Sequence, residues 1–263
     1  MLQDVRKNFE EKASYIARVV PGMIVTEHSS FLAVDCGLPS DTFNVLVVRD
    51  MSTLAELLAT VDRFTEKGYP LAVWYWKSTV DDADRSLFLR HKLSYAETHV
   101  AMSADLTQIQ AAPRAVEGLE IKQITTASDL LQFGEVIEAL FGDSSEGRQV
   151  FAYFQRLSEH SPSTFPAMRH YLGILHGTAV AVGTLFVGSE TVGIYDIVTS
   201  DAYRGRGIGS AMFQHLLHDA AVWNRRYCVL QASPDGLGIY ARAGFSALGK
   251  VHTFENRLHL SAP

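Results

Sequence analysis

The chain has 263 residues, 47% hydrophobic and 20% charged, a globular composition at a length that favours two domains over one. Its formal net charge of -6 provides no basic field to hold nucleic acid or an anionic membrane, so an anionic ligand needs a local cationic site. Cys36 and Cys228 cannot form a disulfide framework, which fits a reducing compartment.

The N-terminal segment, residues 1–12, mixes charged with apolar residues and has no continuous apolar run, so we expect no secretory signal and a cytoplasmic location. The apolar stretch at residues 171–188 approaches the length of a membrane-spanning helix, about 20 residues. His176 and Gly177 divide it, and β-branched residues are frequent in it. The stretch is therefore predicted to be a hairpin in a buried sheet, with no membrane partner.

Short strands dominate the first part of the chain, after a helix near the N-terminus. Residues 51–64 place apolar side chains at helical spacing, and a further helix is predicted at residues 84–91. The predicted strands lie at residues 23–26, 31–35, 43–48, 71–76, 93–97 and 99–102.

Residues 111–118 combine Pro, Gly and charged residues between two patterned regions, so the domain boundary is placed there. The sequence therefore predicts an N-terminal domain of residues 1–112 and a C-terminal domain of residues 118–263. Both parts share the order strand, helix, apolar strand, helix and paired strands, which suggests an internal repeat.

Three strands follow one another closely in the second part of the chain and predict an antiparallel meander. The predicted elements are a strand at 119–124, helices at 127–140 and 149–157, strands at 169–175, 179–187 and 192–199, a helix at 207–223, a strand at 227–232, a short helix ending at 244, and strands at 245–248 and 252–256.

The most informative segment is residues 196–213, in which a β-rich run leads into a glycine-rich turn and then an amphipathic helix. The first N–H groups of a helix lack intrahelical partners and carry partial positive charge, so they can hold phosphate oxygens. Glycines let the backbone approach a ligand, and two arginines supply cationic donors suited to phosphate. The predicted phosphate-binding residues are Arg204, Gly205, Arg206, Gly207, Ile208, Gly209 and Ser210.

Two common phosphate-binding motifs do not fit this turn. A Walker A loop requires Gly-Lys followed by Ser or Thr, and the turn contains no Lys. A dinucleotide-binding fingerprint requires a third Gly where Ser210 stands, in a βαβ unit, whereas this turn follows a predicted antiparallel meander.

The turn YRGRGIGSAM, with IYDIVT before it and LGIYARAGF after it, resembles the GNAT family of N-acetyltransferases, whose phosphate turn reads Gln/Arg-x-x-Gly-x-Gly/Ala. The resemblance covers residues 119–260. It implies an α/β (α+β) fold, with a mixed, mostly antiparallel sheet flanked by helices and a second, smaller GNAT-like domain. It also implies acetyl-CoA as co-substrate, with its pyrophosphate on the turn, and a small-molecule or peptide amine as acceptor.

The same resemblance assigns further residues to cofactor binding and catalysis. The backbone of Ile197, Val198 and Thr199 would pair with the pantetheine arm, while Ser233 stands where many members have Asn. Tyr240 matches the family's common general acid, and a neutral Tyr can protonate a departing thiolate. An amine must lose a proton to attack, for which Asp196 and Glu138 are the candidate bases.

No metal site is predicted, although His215 and His218 lie one turn apart on the long helix. A polar helix face explains this pair better, since no third ligand follows. In the N-terminal part the corresponding connection, Arg49-Asp50, has no glycine, and the Asp50 charge would repel pyrophosphate. We therefore expect a degenerate acetyltransferase-like domain that shapes the acceptor cleft.

The leading hypothesis is an acetyl-CoA-dependent N-acetyltransferase in which the amine attacks directly in a ternary complex. Asp143 and Glu146, in the break between two predicted helices, suggest a cationic acceptor. The alternative hypothesis is a non-catalytic module that binds acyl-CoA and regulates a partner.

Overall fold

The computed structural model describes residues 1–109, 115–234 and 236–260. The first part of the chain forms α1 (Leu2–Tyr15), β1 (Ile24–Glu27), β2 (Phe31–Asp35), β3 (Val45–Val48), α2 (Leu54–Glu66), β4 (Ala72–Tyr75), α3 (Asp82–Arg90) and β5 (Ser94–Asp105). The second part forms β6 (Leu119–Gln123), α4 (Ala127–Glu138), α5 (Ser145–Ser158), β7 (Met168–Leu175), β8 (Thr178–Val187), β9 (Val192–Thr199), α6 (Ile208–Ala220), β10 (Tyr227–Ala232), α7 (Leu237–Arg242) and β11 (Ser246–Glu255).

The described strands join one sheet in the order β1-β2-β3-β4-β11-β5-β10-β9-β8-β7-β6. Strands β6 to β9 form an antiparallel meander, as the sequence predicts. Among the described strand pairs, β3 with β4 and β9 with β10 are the parallel ones. The prediction of a mixed, mostly antiparallel sheet flanked by helices is therefore confirmed.

The two halves of the chain exchange their last strands. β5, which ends the first half, pairs with β10 from Tyr227↔Asp105 to Ala232↔Val100. β11, which ends the second half, pairs with β4 from His252↔Tyr75 to Glu255↔Ala72, and with β5 on its other side. The exchange makes the sheet continuous across both halves. The predicted boundary at residue 112 lies outside the described residues.

Two predicted strand pairs are single long strands in the structure. The first pair lies in β5 (Ser94–Asp105) and the second in β11 (Ser246–Glu255), which is irregular between Ala247 and Gly249 and again between Thr253 and Phe254. Local irregularities interrupt the apolar pattern without ending a strand, so the sequence pattern alone suggested turns at these places.

The apolar stretch at residues 171–188 forms the predicted hairpin, since β7 and β8 are joined by His176 and Gly177 with φ values of 49° and 84°. Such positive φ values at both central residues suit a tight hairpin turn. Within residues 1–109, 115–234 and 236–260, no helix has the length and apolar character needed to cross a membrane.

Both faces of the sheet are covered by helices, and the core on one face is shared between the halves. There Phe9 of α1 and Ile16, which directly follows α1, join Phe133 of α4 and Phe154 of α5 in one buried cluster. On the other face, α2 and α3 cover the first half, and α6 covers the second with Met212 and its neighbours. Thr126 is the N-cap of helix α4, and its side chain accepts from the Asp129 amide.

Candidate active site

The two parallel strands of the second half separate and leave a cleft between them. β9 and β10 pair at Val192↔Cys228 and Gly193↔Val229, and the described pairing ends there. The rest of β9, including the predicted residues Ile197 to Thr199, therefore has no strand on its β10 side. A ligand can occupy that edge and use the backbone groups that a neighbouring strand would otherwise take.

The glycine-rich turn lies between the end of β9 and the start of α6. Gly205 and Gly207 have φ values of 76° and 81°, which favour glycine, and Gly207 is the N-cap of α6. The Ala211 amide donates to the Gly207 carbonyl over 2.9 Å, so the amides of residues 208–210 precede the first helical hydrogen bond. These amides and the positive end of the helix dipole can bind an anion.

The two arginines of the turn are exposed but already held by local contacts. Arg204 forms an ion pair with Asp201, with 3.0 Å between their side chains, and its Nε donates to the Thr199 carbonyl. Arg206 donates to the Ala202 carbonyl over 3.3 Å. Both guanidinium groups therefore stay beside the turn, where their charge can reach a phosphate.

A bulge in β9 sets the direction of Asp196. Thr184 pairs with Tyr195 and Val182 with Val198, so two residues of β9 oppose Gly183 alone. Asp196 has a φ of 54°, an uncommon value for a residue other than glycine. A Cβ on Gly183 would lie 2.9 Å from Ile197 Cδ1, so glycine is needed to admit the Ile197 side chain. The bulge turns Asp196 toward the cavity.

Asp196 lies in a polar cluster built from several elements. Its Oδ1 is 3.5 Å from Lys12 Nζ on α1, and 32% of its side chain is exposed. Burial opposes its ionisation, but the Lys12 charge and a hydrogen bond from Thr184 outweigh that effect and lower the pKa of Asp196. His170 Nδ1 is 2.9 Å from Thr184 Oγ1, and burial lowers the pKa of His170 to about 4. At pH 7, Asp196 is therefore ionised beside a neutral His170.

Tyr240 lies on α7, where its ring contacts Phe213, with 4.9 Å between ring centres. Gly236 leaves room for this ring, because a Cβ there would lie 2.7 Å from Tyr240 Cε2. Burial raises the pKa of Tyr240, so its hydroxyl keeps its proton at neutral pH. Ser233 precedes α7 and accepts the Gly236 amide hydrogen bond through its carbonyl oxygen, over 3.1 Å.

Asp196, Ile197, Val198, Ser233 and Tyr240 line one cavity of about 640 Å³ between the two halves. Aromatic side chains from both halves form its walls. The Phe43 and Tyr153 rings stack with 3.6 Å between centres, and Trp74 stacks on His99 at 5.0 Å. The structure therefore brings these five predicted residues together with aromatic residues of the first half, whereas Thr199 and residues 204–210 do not line this cavity.

Carboxylates line the part of this cavity that the exchanged strands build. Glu97 of β5 lies opposite Thr253 of β11, and Glu255 follows on the same face. A hydrogen bond from His99 lowers the pKa of Glu97, whereas burial and the nearby Asp41 carboxylate raise that of Glu255. These acids lie far apart in sequence, and no local motif signals them.

Three other predicted acids lie away from the cavity lining. Glu138 ends α4 and does not line the cavity. Asp143 is exposed and pairs with Arg148. Glu146 is 2% exposed and accepts from Ser40 Oγ and Thr42 Oγ1, each over 2.6 Å. Glu146 therefore joins the two halves of the chain rather than facing the cavity.

The described part of the chain contains no group of three or more His, Cys, Asp or Glu side chains arranged to hold a metal ion. His215 of the predicted helix-face pair packs against Tyr171, with 5.6 Å between ring centres. His215 thus has a packing role on α6.

Residues 135–245 match the model of the acetyltransferase (GNAT) family. The second half contains a GNAT domain. No curated protein matches the chain in sequence. Among solved structures, a GCN5-related N-acetyltransferase from Kribbella flavida is similar over 95% of each chain, with a TM-score of 0.64 and 12% identity. Another from Sphaerobacter thermophilus is similar over 96% of this chain and 90% of its own, with a TM-score of 0.59 and 15% identity.

A tandem GNAT protein from the clavulanic acid biosynthesis pathway is similar over 96% of this chain and 94% of its own, with a TM-score of 0.58 and 10% identity. These similarities span both halves and support a two-domain GNAT arrangement. The GNAT domain and this fold support acyl transfer as the general activity. The split between β9 and β10 and the amides of the turn fit the pantetheine arm and pyrophosphate of a coenzyme A thioester.

The first half lacks both of these features. β3 and β4 stay paired from Val45↔Ala72 to Val48↔Tyr75, so no cleft opens between them. The connection after β3 holds Arg49, whose guanidinium donates to Glu10 and Glu27, and Asp50, which accepts from the Ser52 amide. The positive charge of Arg49 is therefore already paired with carboxylates and is not free to hold a phosphate.

Proposed function

We propose that the protein is an N-acetyltransferase that acts in the cytoplasm and transfers the acetyl group of acetyl-CoA to a cationic amine. The chemistry takes place in the second half of the chain. The first half is a degenerate acetyltransferase-like domain that shapes the acceptor cleft. One observation carries this proposal: Tyr240, Asp196, the unpaired edge of β9 at Ile197 and Val198, and the carboxylates Glu97 and Glu255 line one cavity, and β9 leads directly into the glycine-rich turn. The donor supplies a thioester, and the residues of the chain orient it and move protons.

In the proposed reaction the amine nitrogen bonds to the thioester carbonyl carbon, and the C–S bond breaks. The proton leaves the nitrogen as the C–N bond forms, because the nitrogen is then most acidic, and the Asp196 carboxylate accepts it. The Tyr240 hydroxyl donates a proton to the departing sulfur. Backbone N–H groups near Val198 stabilise the oxyanion, an effect worth about 2 to 4 kcal/mol.

The carboxylates of the exchanged strands support a cationic acceptor, small molecule or peptide. Arg257, which also lines the cavity, is already paired with Asp41 and lies 3.4 Å from Glu146. Glu97 and Glu255 line the cavity, and the Arg257 ion pairs in the structure are with Asp41 and Glu146 rather than with these two carboxylates. A second positive group on the acceptor would be attracted there while the reacting amine lies near Asp196. The aromatic walls add faces that favour cations.

The proposal is tested by measuring thiol release from acetyl-CoA with paired amines that differ only in a second group, cationic in one and a neutral hydroxyl in the other. We expect turnover, a product heavier by one acetyl group, and higher kcat/KM for the cationic member. Glu255→Gln should raise KM for that member about tenfold and leave the neutral amine unchanged. Tight acetyl-CoA binding without turnover on any amine would instead favour the acyl-CoA sensor.

A further inference from the structure

Helix α1 belongs to the first half of the chain but packs on the catalytic strand of the second. Asn8 is 1% exposed, donates through Nδ2 to the Thr191 carbonyl over 2.8 Å, and accepts from the Tyr195 hydroxyl over 2.7 Å. Glycine is needed at position 193, because a Cβ there would lie 2.2 Å from Asn8 Oδ1. These contacts fix α1 against β9 just before the bulge.

Lys12 lies one helical turn after Asn8 and so reaches the next residue of β9. Its Nζ is 3.5 Å from Asp196 Oδ1 and 5.1 Å from the centre of the Tyr195 ring. The Lys12 side chain is 22% exposed and lines the same cavity as Asp196. A half-buried ammonium in this position holds a carboxylate more strongly than an exposed one would.

The groups that face Asp196 come from four elements. They are Lys12 of α1, Tyr153 of α5, His170 of β7 and Thr184 of β8. Burial raises the pKa of Tyr153 and lowers that of His170 to about 4, so both are neutral at pH 7. Lys12 therefore brings the positive charge of this cluster, and it comes from the half that lacks a cofactor site.

We propose that Lys12 is a positioning residue for acyl transfer: its ammonium orients the Asp196 carboxylate on the bulge and keeps it ionised to receive the acceptor's proton. This inference rests on the proposed function. It makes α1 the element through which the first half takes part in the chemistry of the second. The ion pair also accounts for the uncommon backbone conformation of Asp196, because it offsets the energetic cost of the bulge that points the carboxylate at α1.

The first test needs no turnover. The Asp196 carboxyl can be titrated by NMR with carbon-labelled aspartate, its signal assigned from Asp196→Asn. In the wild type its pKa should lie below the ordinary aspartate value, and Lys12→Met should raise it by removing the nearby positive charge. Lys12→Arg should keep it low. An unchanged Asp196 titration in Lys12→Met would overturn the electrostatic part of the proposal.

The second test is kinetic. Lys12→Met should lower kcat about 10- to 100-fold through misplacement of the base, while KM for acetyl-CoA stays within about twofold. The acidic limb of its kcat profile should move to higher pH, and Lys12→Arg should restore much of the rate. Lys7→Met is the matched control, because Lys7 lies on the same helix and pairs with Glu190 at the surface, 3.5 Å away.

The outcomes separate the two proposals. If the wild type releases no thiol with any amine, the proposed function fails, and the Asp196 titration still decides the electrostatic part. If the wild type turns over and Lys12→Met matches it in kcat and pH profile, the positioning role fails alone. If Lys12→Met melts at a clearly lower temperature than the wild type, Lys12→Gln is used in its place. Equal losses of rate in Lys12→Gln and in the control Lys7→Met would also overturn the positioning role of Lys12.

Discussion

Replacing Tyr240 with Phe should lower the rate of acetyl transfer and leave the stability of the protein almost unchanged. Phe keeps the ring contacts with Phe213 and Phe245, whose centres lie 4.9 and 6.4 Å from that of Tyr240. Among the described residues, burial is the cause that shifts the Tyr240 pKa, and no hydrogen-bond partner contributes to it. Removing the hydroxyl should therefore change the free energy of unfolding by less than about 0.5 kcal/mol.

The rate should respond very differently from the stability. Loss of a positioned general acid lowers kcat about 100- to 10,000-fold, which is about 3 to 5 kcal/mol in activation free energy. Because burial raises the Tyr240 pKa, the wild type should keep its acid form through neutral pH and lose activity only above about pH 10. The Phe variant should lack that alkaline loss.

The assay is thiol release across pH, with urea unfolding and acetyl-CoA titration on the same preparations. Tyr227→Phe is the control, since Tyr227 begins β10 and does not line the cavity. A Tyr240→Phe enzyme as fast as the wild type would refute the role of this hydroxyl. Weakened acetyl-CoA binding with an unchanged kcat would show that Tyr240 binds the donor rather than protonating the thiolate.

Three further outcomes follow from other parts of the structure. Burial lowers the pKa of His170 to about 4, so His170 takes up a proton in the unfolded chain before it does in the folded one as the pH falls below 6.5. The free energy of unfolding should therefore drop by about 2 to 3 kcal/mol between pH 6.5 and 4.5. His170→Gln should remove that part of the shift in the urea midpoint. Gly207 has a φ of 81°, which an alanine adopts only with backbone strain, so Gly207→Ala should weaken coenzyme A binding about tenfold, as measured by calorimetry. The control Gly68→Ala, at a φ of 69° away from the turn, should lower only the melting temperature. Glu146→Gln should cost about 2 kcal/mol in urea unfolding, because Ser40 and Thr42 of the first half lose the buried carboxylate to which they donate. The exposed Glu135→Gln should cost almost nothing.

Much of the local architecture could be predicted from the sequence. The spacing of apolar residues along α2, the cap at Thr126, the hairpin at His176-Gly177 and the meander of β7 to β9 depend on residues close together in the chain. The phosphate turn was likewise recognisable, because the glycines that allow positive φ and the helix that follows lie within one short segment.

The sequence of this chain by itself determined most of the elements and the glycine-rich turn, since propensity, capping and turn chemistry act between near neighbours. Only the tertiary structure decided which strands pair, and the exchange of β5 and β11 brings Glu97 beside Glu255 across more than half of the chain. The meeting of Lys12 with Asp196 depends in the same way on α1 packing against β9. Such contacts form because the apolar faces of distant segments are buried against each other. Since the hydrophobic effect is non-directional, the sequence near one segment does not indicate which other segment it will contact.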